Sequence, residues 1–379
     1  MLSRLSLLAI RAVILQSSQG LAAPGSRPKQ QPRAAAIDTS TLNGKFFVGY
    51  QAWFRKPHED NGNSHWTTDL PTPEVGHVGV DTIPDVTGYP QECLFDTPFT
   101  KPDGSVAQFY TNDCEGVVDL HFKMMADHGI DGAFLQRFYG YINEANGGWE
   151  KILGYSKTAA EKYGRGFVIE YDLNGAATSS SNITATYLAE LAAVSDIIAS
   201  PAYMRHNGKP VIEIWGMGIV TSVSPSDGTA IVTALKQAGY YVILGVQQAW
   251  HAELVENQTG YGDVFKLADM LQPWTVGSYD NDNYQDFHDG RQAVEDKQAL
   301  AGLGIASSIV LAGAVDLKPA FIFGAMFDEN NEGTAIYPIL HNKDLPTNEQ
   351  FLGLDDDMAA DAYLTMAGDA AAKIAAAWA

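Results

Sequence analysis

From residue 45 onward, short apolar runs alternate with longer stretches in which apolar residues recur every three or four positions. The runs predict strands and the stretches predict amphipathic helices. KFFVGYQAWF (45–54) is the first strand, dense in aromatic and β-branched residues, and a polar, Pro/Gly-rich excursion follows from about 55 to 115. A helix over GVVDLHFKMMADHG then stops at Gly129, and IDGAFLQRF (130–138) is the second strand. WEKILGYSKTAAEKYG is helical, GFVIEYDLNG is the third strand, TYLAELAAVSDIIAS is helical and KPVIEIWGMG is the fourth strand. GTAIVTALKQAG leads into YYVILGVQQAW, the fifth strand, and ADMLQPWTVGSY is the sixth. GRQAVEDKQALAGLG is helical, AFIFGAMFD is the last strong strand, and the Ala-rich tail from about 359 to 378 is a closing helix.

Strand-then-helix repeated about eight times predicts an α/β protein, a parallel sheet covered by helices. A single (β/α)8 TIM-type barrel fits the count best. An open doubly wound sheet is the alternative, but GYQAWFRKPHEDNG after the first strand is not a Gly-rich phosphate turn. The seventh unit is ambiguous: IASSIVLAGAV can be a strand or a helix, not both.

In a barrel, chemistry collects where strands end. The first strand ends at Tyr50, Gln51 and Trp53, the second at Gln136 and Arg137, and the third at Asp172 and Asn174. The fourth carries Glu213 and Trp215, the fifth ends at Gln247, Trp250 and His251, and the sixth at Trp274 and Tyr279. The last opens into MFDENNEGTAI, with Asp328, Glu329 and Glu332 in five residues. Aromatic rings pack on the apolar faces of pyranosides while amides and carboxylates read hydroxyls. One aromatic at a strand end is commonly core, and a short acidic cluster is commonly a solvated turn; six such ends together point to a carbohydrate site. Glycoside chemistry needs one carboxyl to protonate the leaving oxygen and a second as nucleophile or base, and close carboxyls push one pKa upward. Glu329 and Glu332 are the candidates. Arg137 can orient a carboxylate as readily as it can touch substrate.

Composition narrows the partners. The 379 residues are 46% hydrophobic, enough for a large core, and 24 basic against 45 acidic residues give a net charge of −21. Such a field repels nucleic acid and anionic membranes but not a neutral sugar. No run approaches a membrane span outside the N-terminus. There, residues 1–23 read as a secretory signal peptide and 24–42 as a disordered linker to a domain over 43–379; an Arg- and Ser-containing mitochondrial presequence is the rival reading. Cys93 and Cys114 are expected to pair in a secreted chain, with two free thiols as the alternative. Asn182 and Asn257 begin N-x-T sequons. His65, His251 and the acids lack tight metal-ligand spacing, DNDN at 280–283 reads as a turn rather than a calcium loop, and no cofactor motif is present. A monomer is expected.

Several segments together resemble the family 71/99-like glycoside hydrolases, related to the family 99 endo-α-mannosidases: GYQAWF, His65–Trp66, IPDVTGYP (83–90) with Asp85, GIDGAFLQRF, QPWTVGSY and AMFDENNEGTAI. The resemblance spans about 45–340 and implies a (β/α)8 barrel and a retaining glycosidase. It implies that Glu329, in an N-E-x-x-E-G-T-like pattern, assists attack by the sugar's own 2-hydroxyl, and that Glu332 is the general acid/base. Asp328 stands where that pattern has asparagine and Asn330 where it has tryptophan. A Pro-Gly-Phe-Ser-Trp-like segment expected near the seventh strand is not visible. A carbohydrate-binding protein on a catalytically dead barrel and a lyase or isomerase barrel are the competing functional readings. The substrate-binding expectation is Tyr50, Gln51, Trp53, His65, Trp66, Asp85, Gln136, Arg137, Asp172, Trp215, His251, Trp274, Tyr279 and Asp328, lining one cleft with the acids.

Overall fold

The computed structural model describes residues 35–57, 64–67, 72–142, 148–176, 183–276, 306–307 and 319–379. Eight parallel strands follow one another in chain order: β1 Lys45–Tyr50, β2 Gly132–Phe138, β3 Gly166–Asp172, β4 Lys209–Met217, β5 Tyr241–Gln247, β6 Met270–Trp274, β7 Ala306–Ser307 and β8 Phe321–Gly324. Each pairs with its predecessor through β7, and β8 returns to pair with β1, Lys45 opposite Phe321. Sequential parallel order with the last strand beside the first is the TIM-type arrangement. The open-sheet alternative would require a strand-order reversal, which the path lacks. Ala306 and Ser307 pair parallel with Met270 and Leu271, so these two residues of the ambiguous stretch are strand.

The period-2 alternation of each strand sorts its side chains between two cores. One face packs Phe47, Phe134, Val168, Val211, Ile243, Met270, Phe321 and Phe323 into the barrel interior. The other face, with Val48, Leu135, Ile169, Ile212 and Leu244, packs against the helices. Burying each large side chain contributes roughly 1.5–3 kcal/mol. The covering helices include α1 Glu115–Asp127, α2 Trp149–Tyr163, α3 Ile183–Ala193, α4 Pro225–Gln237, α5 Trp250–Glu256, α6 Tyr261–Phe265 and α7 Ala362–Trp378. Helix α4 starts three residues before the expected GTAIVTALKQAG, at a capping signal. Ser224 and Asp227 form a reciprocal capping box and Pro225 occupies the first turn, where its missing N–H costs nothing.

Three differences from the sequence reading have local causes. The first strand ends at Tyr50, because the N–H groups of Gln51 and Ala52 turn to the Asp328 carboxylate instead of a neighbouring strand. The excursion before α1 is not all loop: Leu94–Thr100 and Val106–Tyr110 form an antiparallel hairpin. Its signal was the alternation in LFDTPFT, whose burial alternates in step. The helix after β3 breaks after Ala193 and resumes as a single turn, Ser195–Ile198. A disulfide joins Cys93 to Cys114, Cα atoms 5.5 Å apart, and ties the start of the hairpin to the start of α1. A closed loop of this length stabilises by roughly 3 kcal/mol in the chain-entropy model. The leader, Asn182, the 280–283 turn and the helix expected over 290–304 lie outside the described residues, as does most of 291–320.

Candidate active site

Strand pairing places Gln136, Glu170 and Glu213 in one register row across β2, β3 and β4. One rung higher, Phe138, Asp172, Trp215, Gly245 and Gln272 form the next inward row. The barrel therefore changes character along its axis, from an apolar bottom to a polar, aromatic top. Gly245 has a specific reason to lack a side chain. A Cβ there would lie 2.6 Å from Trp215 Cδ1, so the indole lies across β5. Its edge meets Trp274, ring centres 5.4 Å apart at 86°, and Trp274 in turn approaches Phe323 at 6.3 Å. Both tryptophans are half-buried. On the opposite side, Trp53 is stacked between His65, 4.1 Å away and nearly coplanar, and Phe138 at 5.2 Å. Burial and the Arg55 charge hold His65 down at about 4, so the stacked ring is neutral at pH 7.

The acids enter from the loop after β8. Phe327 N–H donates to Gly49 carbonyl at 2.8 Å, carrying the chain past the end of β1. A Cβ at Gly49 would meet Met326 Sδ at 2.2 Å, so the glycine makes room for the methionine that fills the interior under the loop. Asp328 is fully buried. Its two oxygens accept the backbone N–H groups of Gln51 at 2.8 Å and Ala52 at 2.7 Å. Burial raises its carboxyl to about 7 even though these donors favour the charged form. Asn330 is likewise buried, held to Thr82 by its side-chain oxygen and by an Nδ2–H donated to the Thr82 carbonyl at 2.9 Å. The two residues by which the loop departs from the N-E-x-x-E-G-T pattern therefore both fasten it to neighbouring chain.

Glu329, 7% exposed, points the other way. Gln51 Nε2 donates to its Oε1 at 3.1 Å, and Thr334 Oγ1 lies 3.5 Å from its Oε2. Burial, then the charges of Glu332 and Asp328, push it up to about 8. Glu332 sits at the open rim, exposed to solvent, yet the surrounding protein wall still raises its carboxyl. A buried acid beside an open one, both displaced toward neutrality, can hold one proton between them at physiological pH.

The expected residues divide by the face of the strand they occupy. Gln51, Trp53, His65, Asp172, Trp215 and Trp274 sit with Glu329 and Glu332 at the C-terminal mouth or its rim. Asp172 Oδ1 accepts the Asn174 N–H at 2.7 Å, and burial raises it to about 7. Gln136 lies one rung deeper, its Nε2 donating to Glu170 at 2.7 Å. His251 is half-buried at the start of α5, beside Trp250. Asp85 closes a turn onto Thr87 N–H. Tyr50, Trp66 and Arg137 are turned away from the mouth. Tyr50 donates or accepts at His121 Nδ1 (2.9 Å), and Trp66 stacks on Phe109 and donates to the Tyr110 carbonyl. Arg137 pairs with Glu190 on α3 at 3.0 Å and lies over the Trp149 ring. Tyr279 lies outside the described residues.

Two groups carry more than the sequence reading assigned to them. Glu170 and Glu213 are both fully buried inside the barrel. The spacing of Glu170 to Asp172, two residues on one strand, was the available signal. His121 on α1 is also fully buried, with Tyr50 OH and Tyr89 OH on its two ring nitrogens and burial pulling it down to about 3. A lone histidine on an apolar helix face gave no such indication.

A depression of about 560 Å³ between the hairpin and Lys56–Pro57 contains none of these acids. Among the described residues, no group of three or more His, Cys, Asp or Glu is placed to hold a metal.

No protein-family model and no curated protein matches the sequence. Solved structures do match the fold. The GH99 endo-α-mannosidase from Bacteroides thetaiotaomicron superimposes with a TM-score of 0.62 at 14% identity, covering 89% of this chain and 99% of that one. The same enzyme bound to bis-tris propane gives the same values. A protein described as glycoside hydrolase-like gives 0.50 at 13% identity, covering 80% and 96%. The chain thus shares the α/β barrel fold of these proteins.

Proposed function

We propose that this chain is a secreted glycoside hydrolase that cleaves a glycan with retention, using Glu329 and Glu332. The observation that carries the reading is the pairing of a buried and an open carboxyl at the C-terminal mouth of the barrel, both raised, between two aromatic walls. The GH99-like fold supports it. The reading includes a leader over 1–23, a linker over 24–42, a carbohydrate as partner and a monomeric state. The Cys93–Cys114 disulfide fits an oxidising compartment.

The proton inventory suits two roles. Gln51 and Thr334 offer donors that favour the Glu329 anion, but burial outweighs them and holds Glu329 at about 8, so the reaction requires the shared proton to pass to Glu332 when substrate binds. Glu329 takes the proton of the sugar 2-hydroxyl as that oxygen bonds to the anomeric carbon. Glu332 gives its proton to the departing oxygen as the glycosidic bond breaks. In the second half, Glu332 takes a proton from the water that attacks the anomeric carbon. The anhydro bond opens and Glu329 returns its proton to the 2-oxygen. Net inversion occurs twice, so configuration is retained.

The test is hydrolysis of α-mannans, α-glucans and arabinoxylan-type glycans, with the anomer of the first product followed by NMR. The proposal expects cleavage of at least one class with retention, lost in Glu329→Gln and Glu332→Gln. Binding of a glycan without cleavage by the wild-type chain would favour the carbohydrate-binding barrel instead.

A further inference from the structure

Below the mouth, the Gln136–Glu170–Glu213 row presents a problem of charge and hydrogen bonding that the proposed reaction does not use. Glu170 and Glu213 are register partners on adjacent parallel strands, and neither is exposed. Four oxygens in the row, Gln136 Oε1, Glu170 Oε2 and both oxygens of Glu213, meet no hydrogen-bond donor among the described residues. They are packed too closely for a water molecule to touch them.

Among the described residues, no cation compensates the row. The group one rung above on β3 is another acid, Asp172, and its charge raises Glu170 further. Arg137, next to Gln136 in sequence, is on the outer face of β2 with Glu190. Below lie Phe134, Val168 and Val211, and Ile243 flanks Glu213 in the row itself on β5. Tyr241, on β5, gives its hydroxyl hydrogen to the Asp269 carbonyl. Gln51, just past the end of β1, donates to Glu329, and Gln272 from β6 is a neutral amide in the row above. Two carboxylates in that setting would each carry a desolvation penalty, offset only by the Gln136 N–H on Glu170.

We infer that Glu170 and Glu213 are held as neutral carboxylic acids, closed with Gln136 into one proton-bridged network across β2, β3 and β4, and that this network is an alkali-sensitive fastening of the barrel. Two protons turn two of the four donorless oxygens into O–H donors, and two acceptors remain to receive them. Gln136 supplies the pattern. Its Nε2–H already donates to Glu170 Oε1 at 2.7 Å, so its own carbonyl is the natural acceptor for a proton on Glu170 Oε2. Burial pushes Glu170 up to about 8, and burial together with the Glu170 charge pushes Glu213 well above the usual carboxylate range.

The sign of the effect follows. The folded state binds these protons more tightly than the unfolded chain. The stabilisation is therefore complete below the unfolded carboxylate range, and it is lost as pH rises through the folded values, about 8 for Glu170. Asp328 and Glu329 add to the same slope, so the test must isolate the row by substitution.

The experiment is thermal unfolding of the full chain at pH 6 and pH 9 for wild type, Glu213→Gln and Glu170→Gln. An amide has the shape and neutrality of the protonated acid but cannot ionise. Both variants should melt within a few degrees of wild type at pH 6. The fall in melting temperature between pH 6 and pH 9 should be at least about 5 °C smaller in each variant than in wild type. An infrared difference spectrum between wild type and Glu213→Gln at pH 7 should show the loss of a protonated carboxyl band. An unchanged alkaline fall in both variants, a difference spectrum carrying carboxylate bands instead, or failure of both variants to fold at pH 6 would each overturn the inference.

Discussion

Gln136 and Arg137 are consecutive, yet they belong to different machines. Gln136 faces into the barrel and touches Glu170, while Arg137 faces the helices and pairs with Glu190 under the Trp149 ring. Tyr50 and Gln51 divide the same way, one into a buried tyrosine–histidine cage and the other onto Glu329. The inner faces of the strand ends carry acids that burial raises toward neutrality, with amides beside them. The outer faces carry polar groups closed into pairs with the helices, Arg137 with Glu190 and Tyr50 with His121. A polar residue at a barrel strand end is thus a site candidate on only one of two faces, and the alternation decides which.

The largest break in this comparison should come from Arg137→Ala. It leaves Glu190 half-buried and without its cation, in a place where burial already raises that carboxyl more than Arg137 lowers it. Removing one partner of such a pair costs about 3–5 kcal/mol. Denaturant unfolding should register that loss, while KM for a cleaved glycan at a temperature well below the melting point stays within about twofold. A large KM change in the folded variant would move Arg137 to the inner face.

Gly245→Val should act on the mouth instead. The added side chain collides with Trp215, and relieving that overlap costs about 1–3 kcal/mol or drives the indole toward the cleft. Steady-state kinetics should show KM rising more than kcat falls. An unchanged KM would place the Trp215–Trp274 wall outside the substrate path.

The smallest effect should come from Tyr50→Phe, which removes one hydrogen bond to His121 from the outer cage. The expected loss is about 1–2 kcal/mol of stability, with hydrolysis rates unaltered. A rate change would tie the cage to the chemistry through Asp328, whose charge acts on Tyr50.

The barrel was legible because its strands and helices each bury one face, and that period is written into the residues. The acids after β8 stood out only in company with the other strand ends, because a short acidic cluster by itself reads as readily as a solvated turn. The division of faces was not drawn, although it was available: Tyr50, Trp66 and Arg137 read as mouth residues from position alone. Asp328 looked like a substrate ligand until its oxygens met the Gln51 and Ala52 N–H groups, a contact between residues far apart in sequence that no local pattern encodes. The His121 cage is invisible for the same reason, since its two hydroxyl partners come from the end of β1 and from the loop before the hairpin.

The central claim is that Glu332 gives a proton to the leaving oxygen while Glu329 acts on attack. It is tested most directly by comparing wild type, Glu332→Gln and Glu329→Gln on two substrates with the same sugar. One should be the natural glycan and the other an activated aryl glycoside. Loss of a general acid costs about 10²–10⁴-fold in rate, or roughly 3–5 kcal/mol of barrier. Glu332→Gln should show that loss on the glycan and a much smaller one on the aryl glycoside, whose leaving group needs little protonation. Glu329→Gln should slow both. Wild-type-like turnover of both substrates by both variants would contradict the account and return MFDENNEGTAI to an acidic loop.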